Sequence, residues 1–229
     1  MFIIGGIQKT SLLDFPHKIA AIVFTQGCNF KCGYCHNSEL IDFKQQSNFS
    51  ESDFLDFLKK RKGKLDGVVI TGGEPTLQNG LFDFVSKVKD LGFCVKLDTN
   101  GSNPSALEKL FSAGLLDYIA MDIKAPFEKY PLIAGCKINI ENIKQSIDLI
   151  MTSKIDYEFR TTVIKSQLSF EDFEKIGKQI EGAKRYYLQK FVPSKIYDKT
   201  LLNETTYTDD EFKQICNNLK KYVEIVEVR

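Results

Sequence analysis

Six short apolar runs alternate with six longer amphipathic stretches along this chain, and that alternation is what most constrains its fold. Strands are predicted at Ile19–Thr25, Gly67–Thr71, Phe93–Thr99, Tyr118–Ile123, Asp156–Ile164 and Arg185–Val192. Helices are predicted at Glu51–Arg61, Leu81–Leu91, Ser105–Ala113, Ile140–Met151, Phe170–Ile180 and Asp209–Leu219. Ser50 with Asp53 and Ser169 with Asp172 read as capping boxes with Asp in place of Glu, and Asn103-Pro104 reads as a helix start. Strand–helix alternation of this kind gives a parallel sheet with right-handed crossovers. The six units use nearly all of the 229 residues as one domain (1–229), short of the eight units of a closed barrel. The expected fold is therefore α/β, a partial (β/α)6 barrel, with a doubly wound open sheet as the alternative. Tyr222 to Val228 could add a short edge strand.

Composition narrows the function classes. Hydrophobic residues make up 43%, charged residues 27%, and the formal net charge is +1, which argues against disorder and against a basic nucleic-acid binder. The apolar start stops at Gly5-Gly6, and the apolar run Ile19 to Phe24 is far below the 20 or so residues that span a bilayer. The expectation is a cytoplasmic protein without membrane or nucleic-acid partners.

Period-two geometry sorts the middle strands into faces. Phe93, Val95 and Leu97 oppose Cys94, Lys96 and Asp98; Ile119, Met121 and Ile123 oppose Tyr118, Ala120 and Asp122; Tyr157, Phe159 and Val163 oppose Glu158, Arg160 and Thr162. The apolar sets belong under the helices, which leaves Lys96, Asp98, Asp122, Glu158 and Arg160 inside the barrel. An ordinary barrel is filled with branched apolar residues. A charged interior either encloses a polar ligand or forms a mutually satisfied ion-pair network.

Of the six cysteines, Cys28, Cys32 and Cys35 fall within eight residues, directly after the first predicted strand, with the spacing C-x3-C-x2-C. In a reducing compartment such crowding reads as metal binding, and one short loop can place three thiolates on three corners of a [4Fe-4S] cluster. A structural zinc is the alternative, with His36 or a distant cysteine as fourth ligand. Cys94, Cys136 and Cys216 are isolated and read as core filler. Thr71-Gly72-Gly73-Glu74-Pro75, Asp98-Thr99-Asn100-Gly101 and Met121-Asp122-Ile123-Lys124 each close a predicted strand. With the cysteine loop they form four clusters at the C-terminal ends of consecutive strands, the face on which barrel active sites sit.

C-x3-C-x-Tyr-C followed by Gly-Gly-Glu-Pro resembles the radical S-adenosylmethionine superfamily. Phe24 through Asn37 resembles its glycyl-radical-enzyme activases. Gly5 through Leu12, with Asp14-Phe15-Pro16, resembles most the activating proteins of anaerobic ribonucleoside-triphosphate reductase. That family usually has Gly after Asp-x-Pro, where this chain has His17.

The resemblance implies a set of roles. Cys28, Cys32 and Cys35 ligate three irons, and S-adenosyl-L-methionine chelates the fourth. Tyr34 lies near the adenine, and His36 belongs to the same site. Gly72, Gly73 and Glu74 meet the methionine amino group, largely through backbone carbonyls. Asp98, Thr99 and Asp122 help hold a monovalent cation near the cofactor carboxylate, with Lys124 and Arg160 neutralising that carboxylate. An electron from reduced flavodoxin or ferredoxin then yields a 5′-deoxyadenosyl radical, which takes a hydrogen from a glycine of the reductase. Other targets consistent with the superfamily are pyruvate formate-lyase or a small molecule, as in 7-carboxy-7-deazaguanine synthesis. A zinc-stabilised binding module is the non-enzymatic alternative. The loops Leu40–Phe49 and Ser194–Thr208, carrying Ile41, Phe43, Phe49, Ile196, Tyr197 and Leu201, are candidate docking surfaces.

Overall fold

Residues 2–43 and 49–229 are described by a computed structural model of the chain. The central strands β2 (Ala20–Thr25), β3 (Gly67–Gly72), β4 (Cys94–Thr99), β5 (Tyr118–Asp122), β6 (Asp156–Val163) and β7 (Arg185–Lys190) are the six predicted ones, each within three residues of its expected ends. All are parallel, and each pairs with the next in the chain. The strand order never reverses, so the sheet winds one way as a barrel does, unlike a doubly wound sheet. Two further strands extend it: β1 (Ile4–Ser11), antiparallel to β2, and β8 (Ile225–Val228), parallel to β7. β1 and β8 are the two edges of an eight-stranded sheet that does not close. The fold is thus a partial barrel, with one more strand at each edge than the six-unit count.

Helices α1 (Glu51–Lys60), α2 (Leu81–Asp90), α3 (Pro104–Ser112), α5 (Ile140–Thr152), α6 (Phe170–Gln179) and α7 (Asp209–Leu219) correspond to the six expected ones; α4 (Tyr130–Ala134) is a single extra turn. At α6 the Ser169–Asp172 box is complete. At α1 the Ser50 hydroxyl accepts from the Asp53 N–H without the reciprocal carboxylate bond. The apolar strand faces pack under the helices; Val95, Leu97, Ile119, Met121 and Phe159 are fully buried there.

The inner face carries a second, smaller apolar cluster of Phe15, Ala20, Ile22, Val69 and Tyr118. Phe15 comes from the β1–β2 hairpin and closes the barrel floor, with its ring centroid 6.1 Å from that of Tyr118. A Cβ at Gly67 would lie 2.8 Å from the Cys94 carbonyl oxygen and 2.9 Å from the Phe15 ring, so the floor requires glycine there. The Asp14-Phe15-Pro16 motif is therefore structural. Ser11 supports its turn by donating to Asp14 and accepting from the Leu13 and Asp14 N–H groups.

His17 follows with φ +60, a left-handed conformation that costs a residue with a Cβ about 1–2 kcal/mol. Glycine removes that cost but adds unfolded-state entropy of about 0.5–1 kcal/mol. His17→Gly should therefore raise the unfolding free energy by about 0.5–1 kcal/mol, measurable by urea denaturation.

Candidate active site

The C-terminal ends of β2 to β7 surround a cavity of about 260 Å³. Every residue that the sequence marks as a site candidate lines it. Cys28, Cys32, Tyr34, Cys35 and His36 come from the loop after β2; Gly72 ends β3, with Gly73 and Glu74 following; Asp98 and Thr99 end β4; Asp122 ends β5, with Lys124 two residues on; and Arg160 lies on β6.

The cysteine loop is held by backbone bonds on all sides. Gly27 N–H and Cys28 N–H donate to the Leu40 and Ile41 carbonyls at 2.7 and 3.1 Å. Lys31 N–H donates to the Ala134 carbonyl at the end of α4, at 2.8 Å. Tyr197 N–H and Asp198 N–H donate to the Cys35 and Gly33 carbonyls at 3.1 and 2.8 Å. The candidate docking loops thus brace the cysteines. Ile196 is buried, the Leu201 side chain lies against Gly33, and Phe43 lies against Gly27. Residues 44–48 of the first loop lie outside the described residues. The His36 Nε2 is 2.9 Å from the Val192 carbonyl, which ties the cysteine loop to the segment after β7.

Burial, with the charge of Glu74 next, pushes the Cys28 thiol up to about 12; burial likewise raises Cys32 and Cys35. Lys124 opposes the rise at all three and is the one cation they share. Such thiols ionise on binding a metal. Among the described residues no fourth cysteine lines the cavity. The donor set therefore fits a cluster with three protein thiolates and one iron left for another ligand.

The Gly-Gly-Glu-Pro turn packs closely against the neighbouring loops. Its glycines admit neighbouring backbone: a Cβ on Gly73 would sit 2.1 Å from the Gly27 carbonyl oxygen, and one on Gly72, at φ +112, would sit 2.4 Å from the Thr25 nitrogen. The Glu74 carboxylate is 1% exposed and turned into the protein. It accepts from Thr76 N–H at 3.1 Å, Thr99 Oγ1 at 2.7 Å, Asn100 N–H at 2.7 Å and the Thr76 hydroxyl. Glu74 thus clamps the β3 and β4 loops together, and backbone is what this turn can offer a ligand. Glu74→Ala leaves several buried donors without an acceptor and should cost about 3 kcal/mol of stability, read from a urea titration.

The charged interior is one connected chain. Lys96 pairs with Asp98, Asp98 with Arg160 (3.2 Å), Arg160 with Asp122 (2.9 Å) and Asp122 with Lys124 (3.0 Å). Of this chain Asp98, Arg160, Asp122 and Lys124 line the cavity, and Lys96 backs Asp98 from behind the wall. Although burial opposes ionisation of both carboxyls, Arg160 with Lys96 holds Asp98 below its ordinary pKa, and Arg160 with Lys124 does the same for Asp122. All four carboxylate oxygens are engaged by side chains, with Arg160 bridging the two carboxylates. The ion-pair network and the ligand-sized cavity are thus the same structure. Below it Glu158 accepts from Tyr118 Oη at 2.9 Å and from both Arg229 terminal nitrogens at 3.1 and 3.2 Å.

Thr162, which strand alternation puts on the inner face with Arg160, also lines the cavity, as does Gln189, which no sequence feature marks as a site residue. Asn100 lies within the Asp-Thr-Asn-Gly motif, and its Nδ2 donates to Asn29 Oδ1 at 2.9 Å, 4.0 Å from the Cys28 sulfur. Tyr34 Oη is buried in the wall without a hydrogen-bond partner, an unsatisfied donor that a polar ligand could meet.

Residues 22–180 match the sequence profile of the Radical SAM superfamily. The chain belongs to that superfamily. The zinc-module alternative is thereby set aside, and the cofactors of this radical SAM enzyme are a [4Fe-4S] cluster and S-adenosylmethionine. It is 34% identical over 237 residues to a Methanocaldococcus jannaschii protein named "putative glycyl-radical enzyme activating enzyme", covering 99% of this chain and 95% of that one. It is 31% identical over 126 residues to the pyruvate formate-lyase-activating enzyme of Clostridium pasteurianum, covering 53% and 52%. In fold it resembles Streptococcus suis SuiB bound to S-adenosylmethionine, with a TM-score of 0.69 at 14% identity over 89% of this chain and 48% of that one. No helix among the described residues is long and apolar enough to cross a membrane.

Proposed function

We propose that this radical SAM enzyme installs a glycyl radical on anaerobic ribonucleoside-triphosphate reductase, taking its electron from reduced flavodoxin or ferredoxin. The observation that carries the activase reading is end-to-end similarity to the Methanocaldococcus jannaschii protein over 99% of this chain. The reductase as target rests on the Gly5–Pro16 segment, whose resemblance is to reductase activating proteins. When bound, the cluster and S-adenosylmethionine supply, on one-electron reduction, methionine and a 5′-deoxyadenosyl radical that takes a hydrogen atom from the glycine Cα.

The protein's part is to bind, orient and exclude water. Cys28, Cys32 and Cys35 hold the cluster. Lys124, kept charged against burial mainly by Asp122, would meet the cofactor carboxylate. Arg160 holds Asp98 and Asp122 in position. Tyr34 would offer its hydroxyl and ring to the nucleoside, and the Gly72–Glu74 backbone would hold the amino group. His36 fixes the rim through Val192.

The test is to mix the reduced enzyme, S-adenosylmethionine and the reductase anaerobically and record an electron paramagnetic resonance spectrum. A doublet split by the remaining α-hydrogen is expected, and it should vanish when the partner's target glycine is alanine. A doublet on pyruvate formate-lyase alone would move the target while keeping the reaction.

A further inference from the structure

A second groove, about 630 Å³ in volume, lies on the outer side of the cysteine loop, between α4 and the 197–201 segment. Along that loop the residues alternate between the two hollows. Lys31 and Gly33 line the groove, whereas Cys32 and Tyr34 line the active-site cavity. The two hollows share no lining residue. One thickness of polypeptide, the backbone that carries Cys32, separates the groove from the cluster ligands.

We propose that this groove is the docking surface of an acidic one-electron donor protein. The proposal rests on the radical-generating reading of the cavity, which requires an electron from outside. A partner surrendering a hydrogen atom must bring its glycine to within about 3–3.5 Å of the reacting carbon, so it has to enter the cavity itself. A partner in the groove is held behind the wall and can exchange electrons but not atoms. The groove therefore fits the donor and not the glycyl substrate.

Its chemistry identifies the partner's charge. Lys31 and Lys199 are exposed at the rim, and neither forms a salt bridge among the described residues. Lys129 adds a third cation, paired to Asp172 at 2.6 Å. The groove's own carboxylate, Asp198, is turned onto Thr200 N–H and Thr200 Oγ1 at 2.9 and 2.8 Å. Leu132, 77% exposed, and Tyr197, 48% exposed, supply an apolar centre. Lysines around an apolar centre match a transient interface with an acidic surface, in which rim charges govern encounter rate.

The experiment follows cluster reduction by stopped-flow absorbance in the reconstituted full-length enzyme. An acidic flavodoxin in its hydroquinone form is the protein reductant, and photoreduced deazaflavin is the small one. Lys31→Glu/Lys199→Glu should slow reduction by flavodoxin about tenfold at low ionic strength. Added salt should slow the wild type toward the variant. Iron content and reduction by deazaflavin should stay at wild-type values. Lys60→Glu/Lys178→Glu, with the same change in net charge on other exposed surfaces, should reduce at the wild-type rate. Equal slowing in both double variants, no slowing in either, or no reduction of the wild type by flavodoxin would overturn the proposal. So would a deazaflavin-driven loss of glycyl radical in Lys31→Glu/Lys199→Glu, which would make the groove a contact for the acceptor enzyme. Failure of the underlying reading shows in a separate assay: deazaflavin-reduced wild type would then release no 5′-deoxyadenosine.

Discussion

Arg160→Met is expected to lower the unfolding free energy by about 3–5 kcal/mol, the range for breaking a buried ion pair from one side. The guanidinium is 13% exposed and lies between Asp98 and Asp122, with Glu158 4.0 Å away. Removing it leaves Asp98 with Lys96 alone and Asp122 with Lys124 alone, and restores the repulsion between them. For a chain of this size the loss corresponds to a fall in Tm of about 10 °C. The pH dependence distinguishes this cause from lost packing. In the wild type, Asp98 and Asp122 have folded pKa values below their unfolded ones. Their stabilising contribution is therefore complete above the unfolded value of about 4 and is lost as pH falls through the lowered folded values. In Arg160→Met those folded values move up, so protonation relieves the variant at a pH where the wild type is still ionised. The stability gap should narrow as pH is lowered; a gap independent of pH would point to packing alone.

Cys32→Ala is expected to abolish reductive cleavage of S-adenosylmethionine, with no 5′-deoxyadenosine above the uncatalysed background. Cys32 is buried in the middle of the three-thiol loop, and its backbone carbonyl accepts from Cys35 N–H at 3.0 Å. Substitution removes a ligand while keeping that turn, so the protein should fold but retain less iron after anaerobic reconstitution. Cys216→Ala supplies the contrast. Cys216 is buried between α7 and the apolar core, away from the cavity, and its loss should leave iron content and cleavage unchanged. Wild-type cleavage in Cys32→Ala would remove the cysteine loop from the chemistry.

Much of this was legible in the sequence because it depends on local periodicity. The alternation in β4, β5 and β6 placed Lys96, Asp98, Asp122, Glu158 and Arg160 inside the barrel, where the structure has them. The position of each motif at a strand's C-terminal end followed from the same alternation. Strand β1 was missed because Gly5-Gly6 and the polar Gln8-Lys9-Thr10 carry no strong strand pattern; as an edge strand, its Lys9 and Thr10 are exposed.

Pairings between distant residues were also out of reach. Local spacing gives no sign that Arg229 closes on Glu158, 71 residues away, or that Arg160 spans Asp98 and Asp122. The charged interior left a ligand and an ion-pair network both open, and the partner that joins the two carboxylates comes from the next strand. Glu74 is similar, since its turn looks open to a ligand until Thr99 and Asn100 of the next strand are placed against it. His17 stands where the family usually has Gly, and its left-handed φ is seen only in the backbone.

In the proposed function this cavity delivers a radical to a protein glycine. The most direct measurement supplies the partner reductase with its glycines deuterated at Cα, runs one anaerobic turnover with S-adenosylmethionine, and weighs the released 5′-deoxyadenosine by mass spectrometry. Transfer of one deuterium to its 5′ carbon, in step with growth of the glycyl radical signal, is the expected result. Unlabelled 5′-deoxyadenosine, formed with no radical on the reductase, would contradict it.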